Sequence, residues 1–274
     1  MPLLVWIILF TAVGGIASAA FAAVFLLLPE ATGRRLLPHF ISYATGALLG
    51  AALLALLPDA VEGVGREGAH SIGLVMVAGL GIFFIIEKLV LWWHTHANGN
   101  GHAGAHGHGH GHAHSDSHGH DHGRDAASGV LVIIGDSIHN ALDGVLIAAA
   151  FLTSFPLGLV TTFAVAAHEI PHRVGDFAIL VHSGMSRGRA LVMNMATGLT
   201  SIIGGVAAYF GLQRTEGLLP YALALAAAGF LYIAVAGLIP GLQRRADPRT
   251  SLAQVVLMGL GVATIAWAES LAHQ

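Results

Sequence analysis

The feature that most constrains this chain is a succession of apolar stretches, each long enough to cross a bilayer. A helix needs about 20 apolar residues to span the hydrocarbon core. Eight such stretches occur, at 3–28, 39–60, 71–93, 129–151, 157–182, 190–211, 219–241 and 251–271. Charged residues make up 10% of the 274 and hydrophobic ones 55%, against roughly 25% charge in a soluble domain. No alternating polar pattern runs through these stretches, which argues against transmembrane strands. The expected fold class is all-α: a polytopic membrane protein with eight transmembrane helices. The first stretch lacks a basic lead and is too long for a signal-peptide core, so it reads as a span. Runs such as GALLGAALLA and GGVAAYFG let helix backbones approach closely. With no cysteine in the chain, disulfides and thiolate metal sites are excluded.

Basic residues orient the set, because cytoplasmic loops carry the excess of Lys and Arg. With both termini extracytoplasmic, the inside loops hold nine: Arg34, Arg35, Lys88, Arg124, Arg187, Arg189, Arg244, Arg245 and Arg249. The outside loops hold Arg66 and Arg214, and Arg173 lies inside a span. We expect an integral protein of the cell (inner) membrane, partnered by lipid bilayer and not by nucleic acid.

Four segments follow. Residues 1–93 carry helices one to three, 94–128 form a loop, 129–182 carry helices four and five, and 183–274 carry helices six to eight. The loop contains HTHANGNGHAGAHGHGHGHAHSDSHGHDHGRD. Its composition cannot build a core, so disorder is expected. His102, His106, His108, His110, His112, His114, His118, His120 and His122 fall in it, mostly at every second position. Neutral imidazole binds Zn²⁺, Cu²⁺ and Ni²⁺, so a flexible tract of this kind on the cytoplasmic side suggests low-specificity metal capture or sensing.

Charged groups at mid-membrane cost about 2.5–3.5 kcal/mol each on insertion scales and mark sites or pathways. Two spans hold nearly all of them. The fourth reads GVLVIIGDSIHNALDGVLIAAAFL and places Asp136, His139, Asn140 and Asp143 on one helix face. The fifth reads GLVTTFAVAAHEIPHRVGDFAILVH. There His168 and His172 are four apart, and Glu169, Arg173 and Asp176 follow the same face displaced by one position. If the two faces meet, His139, Asp143, His168 and His172 can surround one cation, a donor set suited to Zn²⁺ or Fe²⁺ and less to Mn²⁺. Asp136, Arg173, Asp176 and His182 are candidates for lining the pathway or modulating the site. Pro171 withholds a hydrogen bond from the Ala167 carbonyl and is expected to kink the helix beside a wet cavity. For Arg173, carboxylate partners are expected at Glu169 and Asp176, both within helical reach.

The string HEIPH also fits the zinc-protease pattern HExxH, with two His ligands and Glu169 as general base. Three features favour a transporter over that intramembrane metalloprotease. A proline sits inside the motif, the adjoining span brings its own His, Asn and Asp, and the histidine tract suits metal as cargo. A metal sensor signalling through its loop is a third reading. On the favoured reading the chain is not an enzyme and has no catalytic cofactor. Zn²⁺ is its transported substrate, with Fe²⁺, Mn²⁺ or Cd²⁺ accepted by the same donor types.

HNALDG at 139–144 followed by HEIPHRVGDFAIL at 168–180 resembles the signature pair of the ZIP (Zrt-Irt-like) metal transporters. It is closest to the histidine-rich subfamily whose fifth span reads HEIPHExGDFAIL. The resemblance implies divalent metal transport, mainly of zinc, toward the cytosol. It implies a 3+2+3 arrangement of helices, two inverted three-helix repeats enclosing spans four and five, and often a homodimer. It also implies two metals. The first would take His139, Asp143, His168 and His172; the second would take Asn140, Glu169 and a carboxylate where this chain has Arg173. Ala236, Gly237 and Gly241 stand in span seven where relatives often carry carboxylates. In span two Asp59 remains, without the His that often precedes Pro58. The first site thus looks complete and the second dismantled.

Overall fold

The structure, a computed structural model, describes residues 2–25, 27–97, 121–243 and 248–272. His102, His106, His108, His110, His112, His114, His118 and His120 lie outside the described residues, as does the side chain of His122.

All regular structure among the described residues is helical. The first apolar stretch forms α1 (Leu3–Ala12), a π-helical segment (Val13–Ala17) and α2 (Ser18–Phe25). Next come α3 (Glu30–Gly50), a second π segment (Ala51–Leu56) and α4 (Leu57–Ala97). Then follow α5 (Asp121–Thr153), α6 (Phe155–His182), α7 (Arg187–Thr197) and α8 (Leu199–Leu212). The chain closes with α9 (Leu219–Tyr232), a third π segment (Ile233–Leu238), α10 (Ile239–Gln243) and α11 (Pro248–Ala272).

Six helical runs among the described residues are long and apolar enough to cross a membrane: Leu3–Phe25, Ala31–Leu89, Val132–Thr153, Arg187–Leu212, Leu219–Gln243 and Arg249–Leu271. Five match single expected spans. Ala31–Leu89, at 59 residues, takes in expected spans two and three together. The loop expected between them is reduced to a break at Gly65, the one residue of α4 with non-helical geometry (φ 68°, ψ 179°). Only glycine adopts such a conformation without strain. The remaining expected span is α6, whose HEIPHRVGD segment makes it too polar to join the six. It stays one continuous helix through Pro171. Helix also extends into the segment read as loop, to Ala97 on one side and from Asp121 on the other.

Two of the π segments have a chemical cause. Each ends two residues before a proline, Pro58 or Pro240. Proline has no N–H to give the carbonyl four residues back. Those carbonyls, at Leu54 and Ala236, both fall inside a six-residue π segment. The widened turn is how each helix accommodates its proline.

Packing inverts the pattern of a soluble protein. Ala47, Ala51, Ala52, Ala55, Ala148 and Ala227 are buried, while Val77, Ile203, Val255 and Trp267 point outward. Small residues inside let helices close on one another where lipid already satisfies the large apolar ones. The principal pairings are α5 with α8, α3 with α11, α4 with α9, and α5 with α6. Between α5 and α8 the fit depends on Gly144 and Gly204. A Cβ on either would strike backbone across the interface, that of Ser201 and of Ala141 respectively.

The α5–α6 pair is an antiparallel hairpin with a turn of one residue, Ser154. Its hydroxyl caps α6 by accepting from the Leu157 N–H at 3.2 Å, and Pro156 sits in the first turn, where a missing N–H costs nothing. This tight reversal sets the register that brings residues near 140 opposite those near 170.

Candidate metal centre

The facing sides of α5 and α6 carry two groups of potential ligands. In the first, donor atoms of His139, Asp143, His168 and Glu169 all lie within 4.8 Å of one another. His139 Nε2 is 3.7 Å from Asp143 Oδ2 and 3.4 Å from Glu169 Oε1. His168 Nε2 is 3.5 Å from Asp143 Oδ2, 3.9 Å from Glu169 Oε1 and 3.4 Å from His139 Nε2. Donors held about 2 Å from a tetrahedral Zn²⁺ stand about 3.3 Å apart, so only a small contraction is needed to fit such an ion.

Each donor is aimed. His168 Nδ1 donates to the Ala164 carbonyl at 3.1 Å, which leaves its Nε2 lone pair facing the group. Asp143 Oδ2 and Glu169 Oε1 are buried without hydrogen-bond partners. Two bare carboxylate oxygens in a helix bundle are costly unless something positive comes between them. Phe230 of α9 packs on the His168 ring, with centroids 6.2 Å apart.

The second group is Asp136, His172 and Asp176. His172 Nδ1 is 2.8 Å from Asp176 Oδ2 and 3.9 Å from Asp136 Oδ1. Expected beside His168, His172 instead stacks on the His139 ring at 5.0 Å and turns its nitrogen to Asp176. Glu169, the residue after His168, stands in the four-residue group in place of His172. His182 is apart from both groups, exposed in the last turn of α6 with Nδ1 on the Ala178 carbonyl.

Arg173 is fully buried beneath the first group. Its Nε donates to Glu169 Oε2 at 2.8 Å and its Nη1 to Asp136 Oδ2 at 2.6 Å. Nη1 also reaches the Asn194 carbonyl at 2.8 Å and Thr197 Oγ1 at 2.5 Å, and Nη2 donates to Asn140 Oδ1. Asn194 closes the ring by donating from Nδ2 to the Arg173 carbonyl at 2.9 Å. Of the two expected partners, Glu169 is in contact, while Asp176 pairs with His172 and its place is taken by Asp136. Asn140 is spent as well, its Nδ2 bonding both the carbonyl and the carboxylate of Asp136 at 2.8 Å.

Asn194 and Thr197 are the residues that reading the sequence missed. They come from α7, and an uncharged amide and hydroxyl in NMATG give little signal beside the ionisable residues of α5 and α6. A cavity of about 370 Å³ lies elsewhere, lined by Asp59, Glu62, Gly63, Thr153, Ser154, Pro156 and Glu269 at the hairpin turn.

The family described as "ZIP Zinc transporter" matches the chain over residues 3–268. Relatives named "Zinc transporter ZIP13" are similar across most of it. The Pongo abelii protein is 32% identical over 241 residues, covering 82% of this chain and 65% of its own length. The Mus musculus protein is 33% identical over 264 residues, covering 86% and 71%. For the Homo sapiens protein the figures are 31% over 268 residues, 86% and 71%. The chain thus spans 65% to 71% of the length of these relatives.

Proposed function

The chain belongs to the ZIP zinc transporter family, and from that premise we propose that it carries Zn²⁺ across a membrane toward the cytosol through the His139, Asp143, His168 and Glu169 group. One observation carries this reading. Two buried carboxylate oxygens, Asp143 Oδ2 and Glu169 Oε1, stand unpartnered between two imidazole nitrogens. A bound divalent cation would satisfy all four atoms at once. The donor types are those of zinc, and Fe²⁺, Mn²⁺ and Cd²⁺ are the competing cargoes. The geometry gives less support to a protease. That chemistry needs His168 and His172 on one ion with Glu169 free to activate water, yet His172 pairs with Asp176 and Glu169 is held by Arg173.

The chain is an integral membrane protein, and its helices support eight crossings. Ala31–Leu89 exceeds any bilayer as a single span, since about 20 residues suffice, and its break at Gly65 makes two spans of it. The polar helix α6 becomes the eighth, shielded by α2, α3, α5 and α11. The matched π segments before Pro58 and Pro240 fit repeats in a 3+2+3 plan. Both termini would then be extracytoplasmic, the histidine-rich loop cytoplasmic, and the unit in the cell membrane a homodimer.

The test is zinc uptake into proteoliposomes by the purified full-length protein, with His168→Ala alongside. Uptake by the parent and its loss in the variant are expected. Uptake that His168→Ala leaves unchanged would overturn the assignment of the site.

A further inference from the structure

Arg173 has the form of a ligand-bound cation. A guanidinium in a membrane interior is expensive, yet every contact here is made. Its donors take Glu169 Oε2, Asp136 Oδ2, Asn140 Oδ1, the Asn194 carbonyl and Thr197 Oγ1. These five acceptors come from five residues on α5, α6 and α7, beside the four-residue group, and all are oxygens of kinds that coordinate hard cations. Asp136 Oδ1, the remaining carboxylate oxygen on that side, is held by Asn140 Nδ2.

We propose that Arg173 is a resident cation of the transport site, which orients Glu169 and restricts the site to one divalent ion at a time. The inference rests on the reading of His139, Asp143, His168 and Glu169 as the transport site. Glu169 is divided between two cations. Its Oε2 is fixed on the Arg173 Nε, and this leaves Oε1 facing His139 and His168. A carboxylate pinned at one oxygen cannot rotate, so the other is preset for the ion, as second-layer partners preset metal ligands elsewhere. Charge points the same way. Asp136 and Arg173 offset each other, Asp176 is paired with His172, and Asp143 and Glu169 leave the charge of a single divalent cation to be supplied at the four-residue group. A second one would meet no free oxygen on Asn140 or Asp136 and would lie against the guanidinium, where repulsion at a few ångströms in a low-dielectric interior is severe. Arginine suits the position better than lysine because it stays charged and its fork reaches several acceptors in one plane.

The experiment counts ions in purified full-length protein in nanodiscs, with the nine tract histidines replaced by serine. Zinc per chain is compared between this parent and its His139→Ala/Glu169→Gln variant, which removes the donors any ion at the site must share. A loss of one ion is expected, and a loss of two overturns the inference while leaving the transport site standing. A loss of none overturns the transport site and the inference with it. Cobalt gives the second readout, because its visible spectrum reports the donor set. Arg173→Gln is expected to change the spectrum and weaken Co²⁺ binding by about tenfold, in line with the loss of a second-layer partner, while Arg173→Lys, which keeps the charge but not the fork, is expected to recover only part of the change. An unchanged spectrum and affinity in a folded Arg173→Gln protein would refute the orienting role. If that variant does not fold, the ion count on the parent decides.

Discussion

At the scale of single residues, the two histidines of HEIPH have different surroundings and should behave differently. His168 is inside the four-residue group, with its ring oriented by the Ala164 carbonyl. His172 belongs with Asp136 and Asp176 and is half-exposed. Replacing His168 by Ala should abolish zinc uptake, whereas His172→Ala should leave a measurable fraction. Initial uptake rates in proteoliposomes compare the two, and equal losses would show that both bind the ion directly. Asn194 carries a prediction about stability. Asn194→Leu keeps the volume but leaves the Arg173 carbonyl and Nη1 each short of a partner, at a cost of about 1–3 kcal/mol. A lowered unfolding midpoint in detergent should register it. The members of the cluster were legible because ionisable side chains in apolar runs stand out. Their partnering was not. Spacing puts His168, Glu169, His172 and Arg173 on neighbouring rows of one helix, but which of them meets His139 depends on the rotation and slide of α6 against α5. An arginine side chain also reaches farther than any helical-face argument provides for, which is how Arg173 bonds Asp136 and Asn140 across the hairpin.

Among elements, α5 is the one on which most depends, since it meets both α6 and α8. Its contact with α8 has no room for a side chain at Gly204, where a Cβ would collide with the Ala141 backbone. Gly204→Val should therefore separate the helices and displace His139, two positions before Ala141. Lost zinc uptake and reduced thermal stability are expected together, and full uptake would show that α8 yields more easily than the packing suggests. The apolar stretches were legible from length, yet their joints were not. Hydropathy sees a dip at VEGVGREGAH and reads a loop; the backbone needs just one glycine there, because helix continues wherever its hydrogen bonds are unopposed. The π segments were equally hidden. A proline announces a missing donor but not whether the helix bends or widens to absorb it.

For the whole molecule, orientation and loop function can be tested without disturbing the site. The chain has no cysteine, so single cysteines report topology against a silent background. A cysteine at Arg214 should react with an impermeant reagent from the extracytoplasmic side, and one at Arg187 only from the cytosolic side; the reverse pattern would invert the direction of transport. Replacing the nine tract histidines by serine should lower total zinc bound per chain and leave uptake measurable, because no described residue of the α5–α6 site belongs to that tract. Abolished uptake in a well-folded protein would make the tract part of the route.

The single-residue turn at Ser154 has a mechanical consequence. With no slack between α5 and α6, neither helix can slide along the other by a turn, so the cage their side chains form keeps its dimensions through a transport cycle. Alternating access would then come from displacement of the surroundings, with α3, α8, α9 and α11, which pack on the pair, moving past it or the pair riding as one piston between them. Cross-linking α5 to α6 should leave such a machine running, and cross-linking either of them to a neighbour should stop it.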